Sequence, residues 1–399
     1  MMSSPLPVVR LNPKSEARAI RHGFPWIYSN EVVTDRRTKA IKPGAIAHVA
    51  DTNGVLMGVA AVNPTSKIFC RMLDQNPDAV IDQAWLEGVL TRALKHREML
   101  YDAPFYRLIH AESDGLPGVI MDRFGDTIVV QPNAAWADVM FDALVNAIVA
   151  VTGVANIVKN GTGRARALEG LPEETEVVRG SVDGAVPVQM NGATYMADLL
   201  GGQKTGLFYD QRPNHAFAQR LSKNARVLDV FSHVGGFSLA ALAAGAEGAI
   251  AVDGSQNALD LAVEGAKAMG KEDRYSVMKG DAFKVLEELG ASGEVFDVVI
   301  CDPPAFAPSK KAMEAGLRAY ERVARLAAPL VAPGGYLGLC SCSHAADLTR
   351  FRNASARGIG RGGRRGQLIY TGSAGPDHPL LPQLAESGYL KSLFFRLNG

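Results

Sequence analysis

Asp229-Val230-Phe231-Ser232-His233-Val234-Gly235-Gly236-Phe237 is the stretch that decides how the second half of this chain folds. An apolar run from Arg226 to Phe231 meets a short polar turn and a pair of glycines. A helical pattern then runs from Phe237 to Ala244. This reads as a strand passing through a tight turn into a helix, with glycine where backbone must come close to a ligand. The spacing is not G-x-G-x-x-G, which disfavours a plain dinucleotide site. The alternation continues on the C-terminal side. Strands are predicted at Ala249–Asp253, Tyr275–Lys279, Phe296–Cys301 and Gly335–Cys340, and helices at Asn257–Met269, Ala282–Leu289 and Ala312–Leu330. Such a pattern predicts a doubly wound α/β sheet with helices on both faces. The stretches near Gln367–Tyr370 and Leu390–Arg396 read as a hairpin at its edge.

Doubly wound sheets bind ligands beyond the carboxyl ends of their strands. The first strand end here carries Asp229, Phe231 and the glycine pair. The second carries Asp253-Gly254-Ser255, where an acid can accept both hydroxyls of a ribose. The third carries Gly280-Asp281-Ala282-Phe283, where an acid can take an amino proton of adenine and an aromatic can pack. Asp302-Pro303-Pro304-Ala305-Phe306 follows the fourth strand and Cys340-Ser341-Cys342-Ser343 the fifth. One acid at a strand end is more often a helix N-cap than a ligand contact. Five successive strand ends with suitable groups predict an adenosyl-cofactor site.

The chain is 399 residues long, which favours two or three domains. We read a β-rich segment over 1–75, a small α+β domain over 76–188 and the α/β domain over 189–399. Lys plus Arg is 42 and Asp plus Glu is 41, so a polyanionic partner would need a local basic surface. No apolar run reaches 18 residues and the N-terminus lacks a signal-peptide core. A cytoplasmic protein with no membrane and no metal partner is expected. Its four cysteines, Cys70, Cys301, Cys340 and Cys342, then read as reduced thiols.

Asp229 to Ser238, Gly280 to Phe283 and Asp302 to Phe306 resemble the motifs of class I methyltransferases. Taken with Lys204-Thr205-Gly206-Leu207-Phe208-Tyr209-Asp210-Gln211-Arg212, they resemble the RlmI type, a family that makes 5-methylcytosine in 23S ribosomal RNA. The likeness covers nearly the whole chain. Gly23 to Glu31 looks like the start of that family's PUA domain, an RNA-binding β-barrel. His110 to Gly118 matches its central domain, and Asp377-His378-Pro379 with Gly388-Tyr389-Leu390-Lys391 its C-terminus. The resemblance implies a Rossmann-like catalytic domain with a mainly parallel seven-stranded sheet and S-adenosylmethionine as cofactor. It implies cofactor contacts at Asp229, Phe231, Gly235, Gly236, Phe237, Asp253, Gly254, Ser255, Asp281, Ala282, Asp302, Gln211 and Arg212. On the RNA side it implies Lys204, Phe306, Arg350 and Arg352.

Carbon 5 of cytosine is a poor nucleophile, and attack of a thiolate on carbon 6 activates it. The resemblance makes Cys342 that nucleophile, while Cys340, Cys301 and Cys70 read as core. Asp302 is expected to face the cytosine edge. Enzymes of this reaction with two cysteines carry a second thiol where this chain has Pro303, Pro304 and Ala305, so the base that removes the carbon 5 proton is left unassigned. Arg350 to Arg365 holds six arginines and no acid, and its glycines suggest a partly flexible phosphate track. Arg10, Lys14, Arg18, Arg21 and His22 precede Trp26, a pattern suited to RNA backbone and stacking contacts. Two alternatives stay open: methylation of another base atom, such as a guanine nitrogen, and a non-catalytic RNA-binding assembly factor. The oligomeric state, a homodimer included, is open too.

Overall fold

The computed structural model describes residues 6–201 and 206–398. They fall into two compact units. The first contains the described residues of Met1–Asp183 and Leu199–Thr205, together with Pro376–Ser387. The second contains Gly184–Asp198, Gly206–Gly375 and the described residues of Gly388–Gly399.

Two five-stranded sheets build the first unit. One has the order Val8–Arg10, Ala45–Ala50, Leu56–Val62, Ile68–Asp74, Trp26–Tyr28, antiparallel except for the first pair. It closes over Val9, Ile27, Val49, Ala60, Phe69 and Cys70. The other has the order Thr175–Arg179, Asn156–Asn160, Thr127–Pro132, Val119–Phe124, Phe105–His110. Helices Gln83–Leu100 and Phe141–Thr152 share its core through Leu86, Leu90, Leu144 and Ile148. The short C-terminal return of this unit is anchored by charge. Arg97 is fully buried and donates to both carboxylate oxygens of Asp114, at 2.7 and 2.6 Å, and to the Asp377 carbonyl at 2.9 Å. The Arg107 N–H donates to Asp377 Oδ2 at 3.1 Å. Removing one partner would strand a buried charge. The motifs at His110–Gly118 and Asp377–Pro379 are therefore parts of one polar network.

The second unit is a seven-stranded sheet: β1 (Arg226–Val230), β2 (Gly248–Asp253), β3 (Tyr275–Lys279), β4 (Phe296–Cys301), β5 (Val331–Ser341), β6 (Arg365–Gly372) and β7 (Lys391–Asn398). Their order is β3-β2-β1-β4-β5-β7-β6, with β7 alone antiparallel to its neighbours. The order reverses between β1 and β4, which is where such sheets open a crevice. Six helices accompany it: α1 (Arg212–Leu221), α2 (Gly236–Ala243), α3 (Gln256–Ala268), α4 (Ala282–Ala291), α5 (Met313–Ala327) and α6 (Leu348–Arg361).

The expected flexible segment from Arg350 to Arg365 is corrected. It is helical through Arg361. Its Gly358 serves helix packing: a Cβ there would lie 2.4 Å from the Glu321 carbonyl oxygen and 2.6 Å from Ala324 Cβ. Much of its charge is already used. Arg357 and Arg361 both pair with Glu321, and Arg364 donates to backbone carbonyls of Ala328 and Val331. Arg350 and Arg352 are exposed near the start of α6.

Candidate active site

β1 delivers Asp229 to the switch point, where the carboxylate is fully buried. Its Oδ2 accepts from Ser238 N at 2.8 Å and Ser238 Oγ at 2.9 Å, tying the first turn of α2 to the strand. Its Oδ1 has no hydrogen-bond partner among the described residues. Burial pushes this carboxyl up to about 6 against the bonds from Ser238. In the intervening loop, Phe231, His233 and Gly235 take φ values of +62°, +50° and +82°. That region is costly for the two residues with side chains, so the loop must be held in place. Asp253, at the end of β2, holds it. Its Oδ2 accepts from His233 N at 2.9 Å and its Oδ1 from Ser255 N at 2.8 Å.

Ser255 caps α3, and Asp281 caps α4 by accepting from Lys284 N at 3.1 Å. The N-cap role and the cofactor role are compatible for an exposed carboxylate with lone pairs to spare. Phe231, Phe283 and Phe306 form an aromatic triangle, with ring centroids 6.4, 6.2 and 6.1 Å apart. Gly254 is exposed, and a Cβ there would meet only the Gly280 carbonyl oxygen, at 4.0 Å. Acids at the ends of β2 and β3, an aromatic wall, an open glycine and an unsatisfied buried oxygen suit a ribose, an adenine and a polar tail. These residues fit an adenosyl cofactor.

Three of the expected cofactor contacts are buried. Asp229 lies at the base of the loop, with Oδ2 committed to Ser238 and Oδ1 left over. Phe237 is 2% exposed, its ring edge-on to His215 at 4.4 Å, so it is core. Gln211 is buried, its Nε2 donating to Asp302 Oδ2 at 2.8 Å and its Oε1 accepting from Asn214 at 2.6 Å. It orients Asp302. Arg212 is half-buried over the ring of Tyr209, and Ala282 is buried. Lys204 lies outside the described residues.

The loop after β5 is built differently. Cys342 is part-exposed, whereas Cys70, Cys301 and Cys340 are buried. Cys340 meets Ser392 Oγ at 3.1 Å, and burial pushes its thiol well up. Ser343, fully buried, accepts from Ala307 N at 2.9 Å and hydrogen-bonds Tyr320 Oη at 2.7 Å. It thereby ties the Asp302–Ala307 loop to the cysteine loop. Lys391 Nζ donates to the carbonyls of Ser343 at 2.5 Å and Ala346 at 2.8 Å. His344 is exposed, its ring 5.7 Å from that of Tyr389, which donates to Asp210 Oδ2 at 2.6 Å. Ser343, Tyr320 and Lys391 were not singled out from the sequence. Ser343 and Lys391 lie in motifs that were, which was the one signal available.

Comparison with known proteins agrees with this geometry. Residues 172–360 match the family model of S-adenosylmethionine-dependent methyltransferases, and residues 9–75 match a PUA-like domain. A Cronobacter sakazakii protein named ribosomal RNA large subunit methyltransferase I is 34% identical, over 95% of this chain and 96% of its own. An Aliivibrio fischeri protein of the same name is 35% identical, over 96% of this chain and 98% of its own. A solved Streptococcus mutans protein described as a SAM-dependent methyltransferase shares the fold with a TM-score of 0.81 at 17% identity, covering 98% of this chain and 100% of its own. The chain belongs to the ribosomal RNA large subunit methyltransferase I family, with S-adenosylmethionine as its cofactor.

Proposed function

We propose that this protein methylates carbon 5 of a cytosine in 23S ribosomal RNA through a covalent adduct with Cys342. The names of its relatives supply the large-subunit RNA as substrate. One observation carries the chemistry: the single cysteine that is not buried stands just past the end of β5, on a loop tied to the one that carries Asp302. The cofactor supplies the methyl group as an electrophile.

The Cys342 thiolate adds to carbon 6, and the displaced electron pair makes carbon 5 nucleophilic. Charge then gathers on ring nitrogen 3, where Asp302, oriented by Gln211, offers a hydrogen bond from its acid form. After carbon 5 gains its methyl group, loss of its proton to a base expels the thiolate. The segment 9–75 would hold RNA through exposed Arg10, Lys14, Arg18 and His22. Arg21 is exposed but pairs with Asp51, and Trp26 donates to Glu112 at 2.8 Å, so neither is freely available. Arg350, Arg352 and Phe306 would contact RNA beside the cysteine loop. Asp253 and Asp281 would take the ribose and adenine.

Cys342→Ala should abolish 5-methylcytosine formation, read by mass spectrometry of the RNA, while calorimetry shows unchanged cofactor affinity. Normal turnover by that variant would exclude the covalent route and point to a nitrogen target, which needs no thiolate. Absence of both cofactor binding and methyl transfer in the intact protein would favour the assembly-factor alternative.

A further inference from the structure

We propose that Lys391 is a positioning residue for Cys342: its ammonium group fixes the turn after the cysteine and stabilises the thiolate. The inference rests on reading Cys342 as the nucleophile.

β7 runs antiparallel to β5 and sets Lys391 opposite Ser341, one residue before Cys342. From there the side chain reaches past the strand end to the carbonyls of Ser343 and Ala346, which bracket the turn following the cysteine. Two of its three N–H groups are held by these carbonyls. The charge is therefore fixed relative to the turn. Burial brings the Lys391 amine down to about 8, and Cys342 and Asp347, when ionised, favour the ammonium form against it. The coupling is mutual: a cation that gains from a nearby thiolate also lowers that thiol's pKa. A staple made only of hydrogen bonds would organise the turn but leave thiol acidity unchanged, and this separates the two roles.

The test is the rate of iodoacetamide alkylation against pH in the full-length protein, with Cys342→Ala as the blank. Cys70, Cys301 and Cys340 are buried and should stay silent. The native midpoint should lie below the roughly 8.5 of a free cysteine. Lys391→Met should raise the midpoint by about one unit, making alkylation roughly tenfold slower at neutral pH, and Lys391→Arg should restore most of it. In turnover, Lys391→Met should lower kcat and leave the KM for cofactor unchanged. A native midpoint at or above 8.5 overturns the proposal even if Lys391→Met fails to fold. So does a folded Lys391→Met with an unshifted midpoint, or an equal shift in Lys391→Arg. Retained methyl transfer by Cys342→Ala is a separate outcome, which removes the nucleophile reading and leaves the alkylation result standing.

Discussion

The loops after β1 and β5 stand at the carboxyl ends of two strands of one sheet, yet they are held by opposite means. The β1 loop is fixed from within its own neighbourhood: two aspartates accept its backbone N–H groups and three residues adopt positive φ. The β5 loop has one long local bond, from Ser343 N to Ser341 Oγ at 3.3 Å. Side chains and backbone from elsewhere hold it, through Ser343 to Ala307 and Tyr320, and through Lys391 on β7. A cradle that must match one unchanging cofactor is built rigid. On the function proposed above, a loop that presents a thiol to a base is braced at its flanks, with Cys342 part-exposed. Both arrangements pre-position groups before the ligand arrives, which is where binding and catalysis gain most.

The rigid side of the comparison is tested by the largest expected effect. A Cβ on Gly235 would lie 2.6 Å from Tyr275 Oη and 3.0 Å from Leu239 Cγ, at a φ of +82°. Gly235→Val should destabilise by about 2–5 kcal/mol, combining left-handed strain with overpacking. Urea unfolding measures this. Gly254→Ala is the control, because nothing crowds that position and its φ is not in the left-handed region. Equal midpoints for the two variants would mean that the loop yields, and the contrast with β5 would fail.

A smaller effect probes the braced side. Ser343→Ala leaves the buried Ala307 N–H without its acceptor, a loss of about 1–3 kcal/mol. Turnover should fall while cofactor affinity, measured by calorimetry, holds. A parallel fall in affinity would show that the two loops act as one.

The same difference explains what the sequence reveals. The alternation of strands and helices and the acids at the first four strand ends are local patterns, so the sheet could be read directly and the cofactor expected at its carboxyl edge. Where a local pattern misled, packing was the reason. The glycines of Arg350 to Arg365 suggested flexibility, but Gly358 is there to let α5 and α6 approach. Phe237 was expected at the cofactor from the family resemblance, and the helix turns its ring inward onto His215. Gln211 lies in a recognisable motif, but its bond to Asp302 joins residues far apart in sequence. No spacing rule reports such a bond, nor the return of Pro376–Ser387 to the first unit.

The last effect is small near neutral pH and grows as the pH falls, and it probes the β1 side alone. His215 is buried under Gly236 and Phe237, and its Nδ1 has no hydrogen-bond partner among the described residues. Burial holds the imidazole neutral, pushing it down to about 3, with Asp210 opposing and Arg212 assisting. Below about 6.5 the unfolded chain takes up a proton that the folded one refuses. Stability is therefore lost as pH falls, at about 1.4 kcal/mol per unit for this group. Asp229 acts in the other direction. Its folded value near 6 exceeds the unfolded one, so the folded state gains a proton between about pH 6 and 4 and offsets part of the loss. The difference between His215→Gln and the native protein isolates the histidine. Urea midpoints at successive pH values should show the variant gaining on the native protein as pH falls below about 6.5, whatever its starting stability. Parallel curves would mean that the folded imidazole takes up its proton as readily as the unfolded one. The cradle would then tolerate a charge that its packing is expected to exclude.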